Sequence, residues 1–380
     1  MATTDPFPVE RYTDVLERLG DDEPSSRLEA QAVIKAIKVE KGYLDESILQ
    51  DLNTLRPETL ETILQVIEQK RKTEAAYTKR FDTWFILYSC VNITSISAQL
   101  YSSKYRFLYE VIQNADDSHY DKVKSTNSQP FLRFIVTPET FVIETNEDGF
   151  NRKNIEAICA TGQSSKKSSS SKEYTGEKGF GFKSVFSIAN EVRIQSGLWS
   201  FKFEHQKKDN GLGMVTPLES TAVDLPTDTT TRITLCLTQQ AIEDYTRLLD
   251  AVLDLPDTSL FFLRKLSTVH INLTRQDGSR EVHSIRKTVL EDGALVRIDR
   301  SLSSSSTETI ASSLYYQVRH QIDSMPHDER RRDQKTVVVH LAFPVDPVTK
   351  EPQQSDIGQH VFAYLPLHRV PHLPVRSCFQ

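Results

Sequence analysis

The chain has 380 residues, of which 38% are apolar and 26% charged, with a formal net charge of −6. The length exceeds one ordinary core and predicts two or three domains, and the composition predicts a folded chain. The charge excludes the global basic field of a protein that coats nucleic acid. Cys90, Cys159, Cys236 and Cys378 lie far apart with no CxxC pair, so free thiols in a reducing compartment are expected, not structural zinc or a disulfide framework.

The opening MATTDPFPVERYTDV has acids and prolines where a signal peptide has a basic start and an apolar run. No stretch approaches the roughly 18 apolar residues of a membrane span. The expectation is a soluble intracellular protein, cytoplasmic or nuclear. Residues 1–79 read as a helical region. RLEAQAVIKAIKVE places Leu28, Ala32, Ile34, Ile37 and Val39 near helical spacing. RPETLETILQVIEQKRK has a first-turn proline, Pro57, then Leu60, Ile63, Leu64 and Ile67 on one face, and it ends in Lys70, Arg71 and Lys72. A small helical bundle or docking arm is expected there, with no visible chemistry.

Residues 80–250 mix both periods. A helix is predicted near 104–118, strands at FLRFIVT and FVIET, a helix near 151–159, and a serine- and lysine-rich loop after it. Strand-like EVRIQSG, WSFKFEH and RITLCLT follow. This order predicts an α+β sandwich, an antiparallel-leaning sheet covered by helices. Residues 251–380 read as a following α/β region, with strands at ALVRI, TVVVHLAFPV and HVFAYLPL, and SLSSSSTET as a loop. HDERRRDQK reads as a solvated segment. The uncapped ending LPVRSCFQ suggests that this region is incomplete.

The chemistry concentrates in the middle. In KYRFLYEVIQNADDSHY, Glu110, Asn114 and Asp117 fall at i, i+4 and i+7 on one arc, opposite Leu108, Val111, Ile112 and Ala115. Alone, this is equally a plain amphipathic helix with a solvated face. Further on come FVIETNEDGF and GEKGFGFKSVF. Five of the chain's 13 glycines, Gly149, Gly162, Gly176, Gly179 and Gly181, fall in 33 residues, together with Lys166, Lys167, Lys172 and Lys178, and Lys183 follows. Glycines let backbone N–H groups approach an anion, and FKSVFSIA reads as the start of a helix whose positive end points the same way.

The order E-x-x-x-N-A-x-D, strand, glycine turn, long loop, G-x-x-G-x-G resembles the GHKL (Bergerat-fold) ATPase superfamily over roughly residues 85–250. YEVIQNADDS, NEDGF, ICATGQSSK and GEKGFGFKSVF are most similar to its sacsin and NO VEIN-like branch of histidine-kinase-like ATPase domains. The resemblance implies a GHKL-type α/β sandwich that binds ATP with Mg²⁺ and hydrolyses it slowly, driving lid closure in a chaperone-like switch. It implies Glu110 as general base, Asn114 as Mg²⁺ ligand, and Asp117 lining the nucleotide pocket. Gly176, Gly179 and Gly181 with Phe182 would wrap the phosphates, and Ser164, Ser165 and Lys166 would contact them from a lid spanning Gly162 to Tyr174. Thr231 would lie near the adenine, and Gly149 in the turn beneath it. Where most of the superfamily has the aspartate of D-x-G-x-G, this chain has Thr145 or Asn146, neutral acceptors weaker than a carboxylate.

Histidine kinases generally lack the glutamate. With Glu110 present and no dimerisation motif among the ten histidines, hydrolysis is expected over transfer to histidine. Client proteins or a second copy are the implied partners; a membrane and nucleic acid are not. The alternative is a non-hydrolysing nucleotide-binding or protein-interaction module.

Overall fold

The computed structural model describes residues 12–43, 56–91, 105–160, 181–206, 211–290, 293–304, 308–323, 337–353, 359–363 and 365–370. The helices are α1 (Tyr12–Leu19), α2 (Arg27–Glu40), α3 (Pro57–Val91), α4 (Phe107–Asp117), α5 (Asp121–Ser125), α6 (Arg152–Cys159), α7 (Gln239–Glu243) and α8 (Tyr245–Leu253). The strands are β1 (Phe131–Val136), β2 (Thr140–Thr145), β3 (Ala189–Ser196), β4 (Trp199–Glu204), β5 (Leu218–Glu219), β6 (Thr231–Leu237) and β7 (Thr268–Thr274), then β8 (Arg280–Leu290), β9 (Leu295–Ser304), β10 (Glu308–Ile322), β11 (Val337–Val345), β12 (Gln359–Ala363) and β13 (Leu365–Val370). The chain folds as two compact units, residues 1–111 with 139–245, and residues 112–138 with 246–380.

In the first unit the strands run β2-β6-β3-β4-β5, and every neighbouring pair is antiparallel. β6, TRITLCL, alternates strictly between buried and half-buried residues, as a period-two strand with one covered face should. Phe107 of α4 meets Phe141 of β2 edge-on, centroids 5.3 Å apart, which seats the helix on the sheet. α2 starts where Ser26 accepts the Glu29 N–H, and it buries Ala30, Val33, Ile34 and Ile37, spaced at i, i+3, i+4 and i+7. Leu28, expected on that face, is instead 54% exposed. The turn after α1 is tied to α6: the Glu23 carboxylate accepts the Arg152 N–H at 2.9 Å, and the Arg152 guanidinium reaches the Gly20 carbonyl at 2.5 Å.

The second unit orders its strands β11-β10-β9-β8-β7-β1, antiparallel except for the parallel pair β1–β7. β12 and β13 form a separate antiparallel hairpin. One face of the long meander is covered by the end of α8 and the segment after it: Phe261 packs on Tyr315 at 5.2 Å, and Arg300 donates to the Leu253 and Leu255 carbonyls at 3.1 and 2.6 Å. The expected mixed α+β architecture with mostly antiparallel pairing is what the chain forms. The serine run expected as a loop differs: β9 continues through Ser304 and β10 begins at Glu308. Serine's weak strand preference is overridden there by pairing on both sides, including a Ser284–Ser301 hydroxyl contact of 2.8 Å.

Candidate functional site

Two groups of the expected residues meet in the first unit. The first joins α4 to the end of the glycine-rich motif. α4 buries Phe107, Leu108, Val111, Ile112 and Ala115 and leaves Glu110 half-buried. Arg106 donates to Glu110 Oε1 at 3.3 Å, while Oε2 lies against Gly181. A Cβ on Gly181 would land on Oε2 and sit 3.2 Å from Cδ. Glycine at 181 therefore answers to a close approach between backbone and carboxylate, not to an unusual φ, since its φ of −61° is ordinary.

The second group lies where β2 and β6 end together, with Thr145 opposite Thr231. Thr145, Asn146 and Glu147 are all buried. The Phe150 N–H donates to Ser196 Oγ at 2.8 Å, Ser196 Oγ lies 2.6 Å from Thr231 Oγ1, and Thr231 Oγ1 donates to the Glu147 carboxylate. A hydroxyl has one proton, so Ser196 accepts from Phe150 and donates to Thr231, which donates onward. The series ends on a carboxylate. Gly149 stands inside this turn at φ +98°, a conformation that favours glycine. Glu147, the anion of the cluster, escaped the sequence reading, which weighed only Thr145 and Asn146 there. The signal available was the period-two series Phe141, Ile143, Thr145, whose next member is position 147.

Other expectations land differently. The helix expected from Phe182 is a six-residue 3-10 segment, Phe182–Ser187, too short to present a full helix dipole. Phe182 itself is buried. Lys183, read as charge available to phosphate, is buried and donates to the Ala160 carbonyl that ends α6. Gly162, Ser164, Ser165, Lys166, Gly176 and Gly179 lie outside the described residues.

In the second unit, Asn114 lies on the exposed side of α4, where its backbone carbonyl accepts from Ser118 Oγ at 2.9 Å. Asp117 pairs with Arg264 at 3.3 Å. Its neighbour Asp116, absent from the sequence reading, is 3% exposed and accepts the N–H groups of Arg264, Lys265 and Leu266 at 2.9, 2.7 and 2.9 Å. Lys265 in turn caps the helix end, its Nζ on the Asp117 and Ser118 carbonyls at 3.2 and 2.5 Å.

Two clefts of 390 and 420 Å³ open on the first unit, lined by residues that include Ser200, Glu219, Ser220 and Thr221. None of the expected site residues lines either. The two side-chain clusters therefore mark the candidate site, and residues 161–180 lie outside the described residues. Among the described residues no helix is long and apolar enough to cross a membrane.

No protein-family model matches the chain. Over 109 residues it is 42% identical to Protein NO VEIN of Arabidopsis thaliana, a match covering 29% of this chain and 4% of that protein. The match relates part of this chain to NO VEIN, and it spans only a small fraction of that relative's length.

Proposed function

We propose that the chain is a GHKL-type module of a sacsin or NO VEIN-like protein that binds ATP with Mg²⁺ and hydrolyses it slowly. The observation that carries this reading is the approach of Glu110 Oε2 to the backbone of Gly181. It puts a half-buried carboxylate beside the last glycine of a motif suited to phosphate, which is where a base that orients or deprotonates attacking water has to stand. Glu147, Thr231 and Ser196 form a buried hydrogen-bonded series at the ends of β2, β6 and β3, where the resemblance expects the nucleobase. The partial identity to NO VEIN supports the same branch.

The residues fit the groups that this reading requires. Glu110 Oε2 occupies the place where a Cβ at 181 would stand, so the close approach that glycine permits there is made by the proposed base itself. Asn114, one helical turn after Glu110, offers the hard amide oxygen that Mg²⁺ accepts alongside phosphate oxygens and water. Bound there, the metal would supply charge neutralisation on the phosphates. Turnover would in this reading switch contacts with client proteins or a second copy.

A module that binds nucleotide or protein without turnover is the second reading. It is favoured by Lys183, whose ammonium is committed to the Ala160 carbonyl. Phosphate release and nucleotide titration with and without Mg²⁺ separate the two. Glu110→Gln is expected to keep binding and lose phosphate release, and Asn114→Ala to lose Mg²⁺-dependent binding. Equal release from Glu110→Gln and the natural chain would reject hydrolysis.

A further inference from the structure

Among the described residues β11 is the outer strand of the second unit's sheet, with β10 as its one neighbour. The Pro344 carbonyl accepts the Gln353 N–H at 2.9 Å, so it points away from β10. Backbone direction alternates along a strand, so Val338, His340 and Ala342 also aim their N–H and C=O groups outward. The register agrees. Gln317 of β10 donates to Ala294, towards β9, which leaves Tyr316, Val318 and His320 to bond Phe343, Leu341 and Val339.

Edges of natural sheets are usually blunted by lysine, proline, a bulge or a covering segment. On β11, among the described residues, that protection is found at one end, where Pro344 lacks an outward N–H and Val345 bridges to Pro352. Across Val338, His340 and Ala342, no described residue pairs with the outward groups. Several side chains around this window are apolar and exposed. Val338 is 52% exposed, Leu341 45%, Tyr316 42% and Val318 38%, the last three sharing one face of the sheet.

We propose that this edge pairs with the same edge of a second copy of the chain, antiparallel about a two-fold axis through His340. The pattern is self-complementary. His340 faces its own copy, and Val338 faces Ala342 in both directions, so three outward residues on each strand exchange six backbone hydrogen bonds. Val339 then lies opposite Leu341 of the second copy, an apolar pair of the kind that stabilises sheets. Val337–Val345 has no acidic, lysine or arginine side chain, so the pairing brings no like charges together. Burial, and then the Arg319 guanidinium across the strand pair, hold the His340 pKa below its ordinary value, so two neutral imidazoles meet at the axis near pH 7.5. The strip is narrow, which makes the association weak and concentration-dependent, as for small transient interfaces.

The test is sedimentation velocity of the full chain without nucleotide across the micromolar range, so that its outcome is independent of the ATP reading. A reversible monomer–dimer equilibrium is expected. Ala342→Pro removes one outward N–H per copy, two hydrogen bonds per dimer, and weakens association by about tenfold. His340→Lys sets two ammonium groups on the axis and abolishes it, and thermal melting checks that both variants stay folded. Amide exchange at Val338, His340 and Ala342 slows as concentration rises. A chain that stays monomeric throughout, a dimer indifferent to both folded variants, or protection confined to other segments would overturn the proposal.

Discussion

Gly181→Ala separates the stability of the first unit from its proposed chemistry. The backbone at 181 has φ −61° and ψ −41°, which alanine adopts without strain. Replacing glycine there gains about 0.4–1 kcal/mol from the unfolded chain. The added Cβ cannot coexist with Glu110 Oε2 and would lie 3.2 Å from Cδ. The obstacle is the far end of a flexible side chain, so Glu110 swings aside, with the carboxylate moving on the order of 1 Å to regain ordinary contact. That movement strains its 3.3 Å pairing with Arg106. Exposed i,i+4 pairs contribute about 0.3–0.5 kcal/mol, so the two stability effects nearly cancel. A misplacement of about 1 Å can cost about 10²-fold in rate, or about 2.7 kcal/mol of barrier. The expected result is a kcat for phosphate release down about 100-fold with KM and melting temperature almost unchanged. Steady-state phosphate release with parallel thermal melting measures both. Unchanged kcat in a folded variant would refute the catalytic placement of Glu110.

Thr231→Val removes the hydroxyl between Ser196 and the buried Glu147 carboxylate and is expected to destabilise the first unit by about 1–3 kcal/mol in denaturant unfolding; no loss would mean that the series does not hold the turn. Asp116→Ala strips three backbone N–H groups of their acceptor and is expected to cost about 2–4 kcal/mol, against less than about 1 kcal/mol for Asp117→Ala, whose ion pair with Arg264 is solvent-facing. Equal costs would contradict that division between neighbouring aspartates. Burial pushes the Cys159 thiol up to about 12. The thiolate is the reactive form, so at pH 8.5, where an ordinary thiol is about half ionised, less than about one in a thousand Cys159 side chains is. Iodoacetamide should therefore label Cys159 slowly in the native chain and readily after denaturation, as read by peptide mass spectrometry; equal rates would show that the site is open.

Regular elements followed from neighbours in sequence. The alternation in RITLCLT, and the apolar arc of Leu108, Val111, Ile112 and Ala115, express periods that a strand or helix repeats within a few residues. Single-residue assignments within those elements were less secure, and Leu28 of α2 faces solvent although its spacing placed it inward. The extension of β9 beyond ALVRI, and β10, were hidden because their serines carry little strand signal until partners on both sides pair with them.

The amino-acid order alone could set the polar arc on α4, and the family resemblance grouped Glu110, the glycines and Thr231 as an expectation. It could not say which atoms would meet. That Thr231 donates to Glu147 follows from the register placing Thr145 opposite Thr231 and Thr231 opposite Ser196. That Lys183 turns inward follows from the bare carbonyl at Ala160 that ends α6. That Asp116 and not Asp117 is the buried anchor follows from which side of α4 meets Arg264, Lys265 and Leu266. Each outcome is decided by groups many residues apart, because a buried polar atom must find its partner wherever the fold provides one, and local periodicity carries no record of that choice.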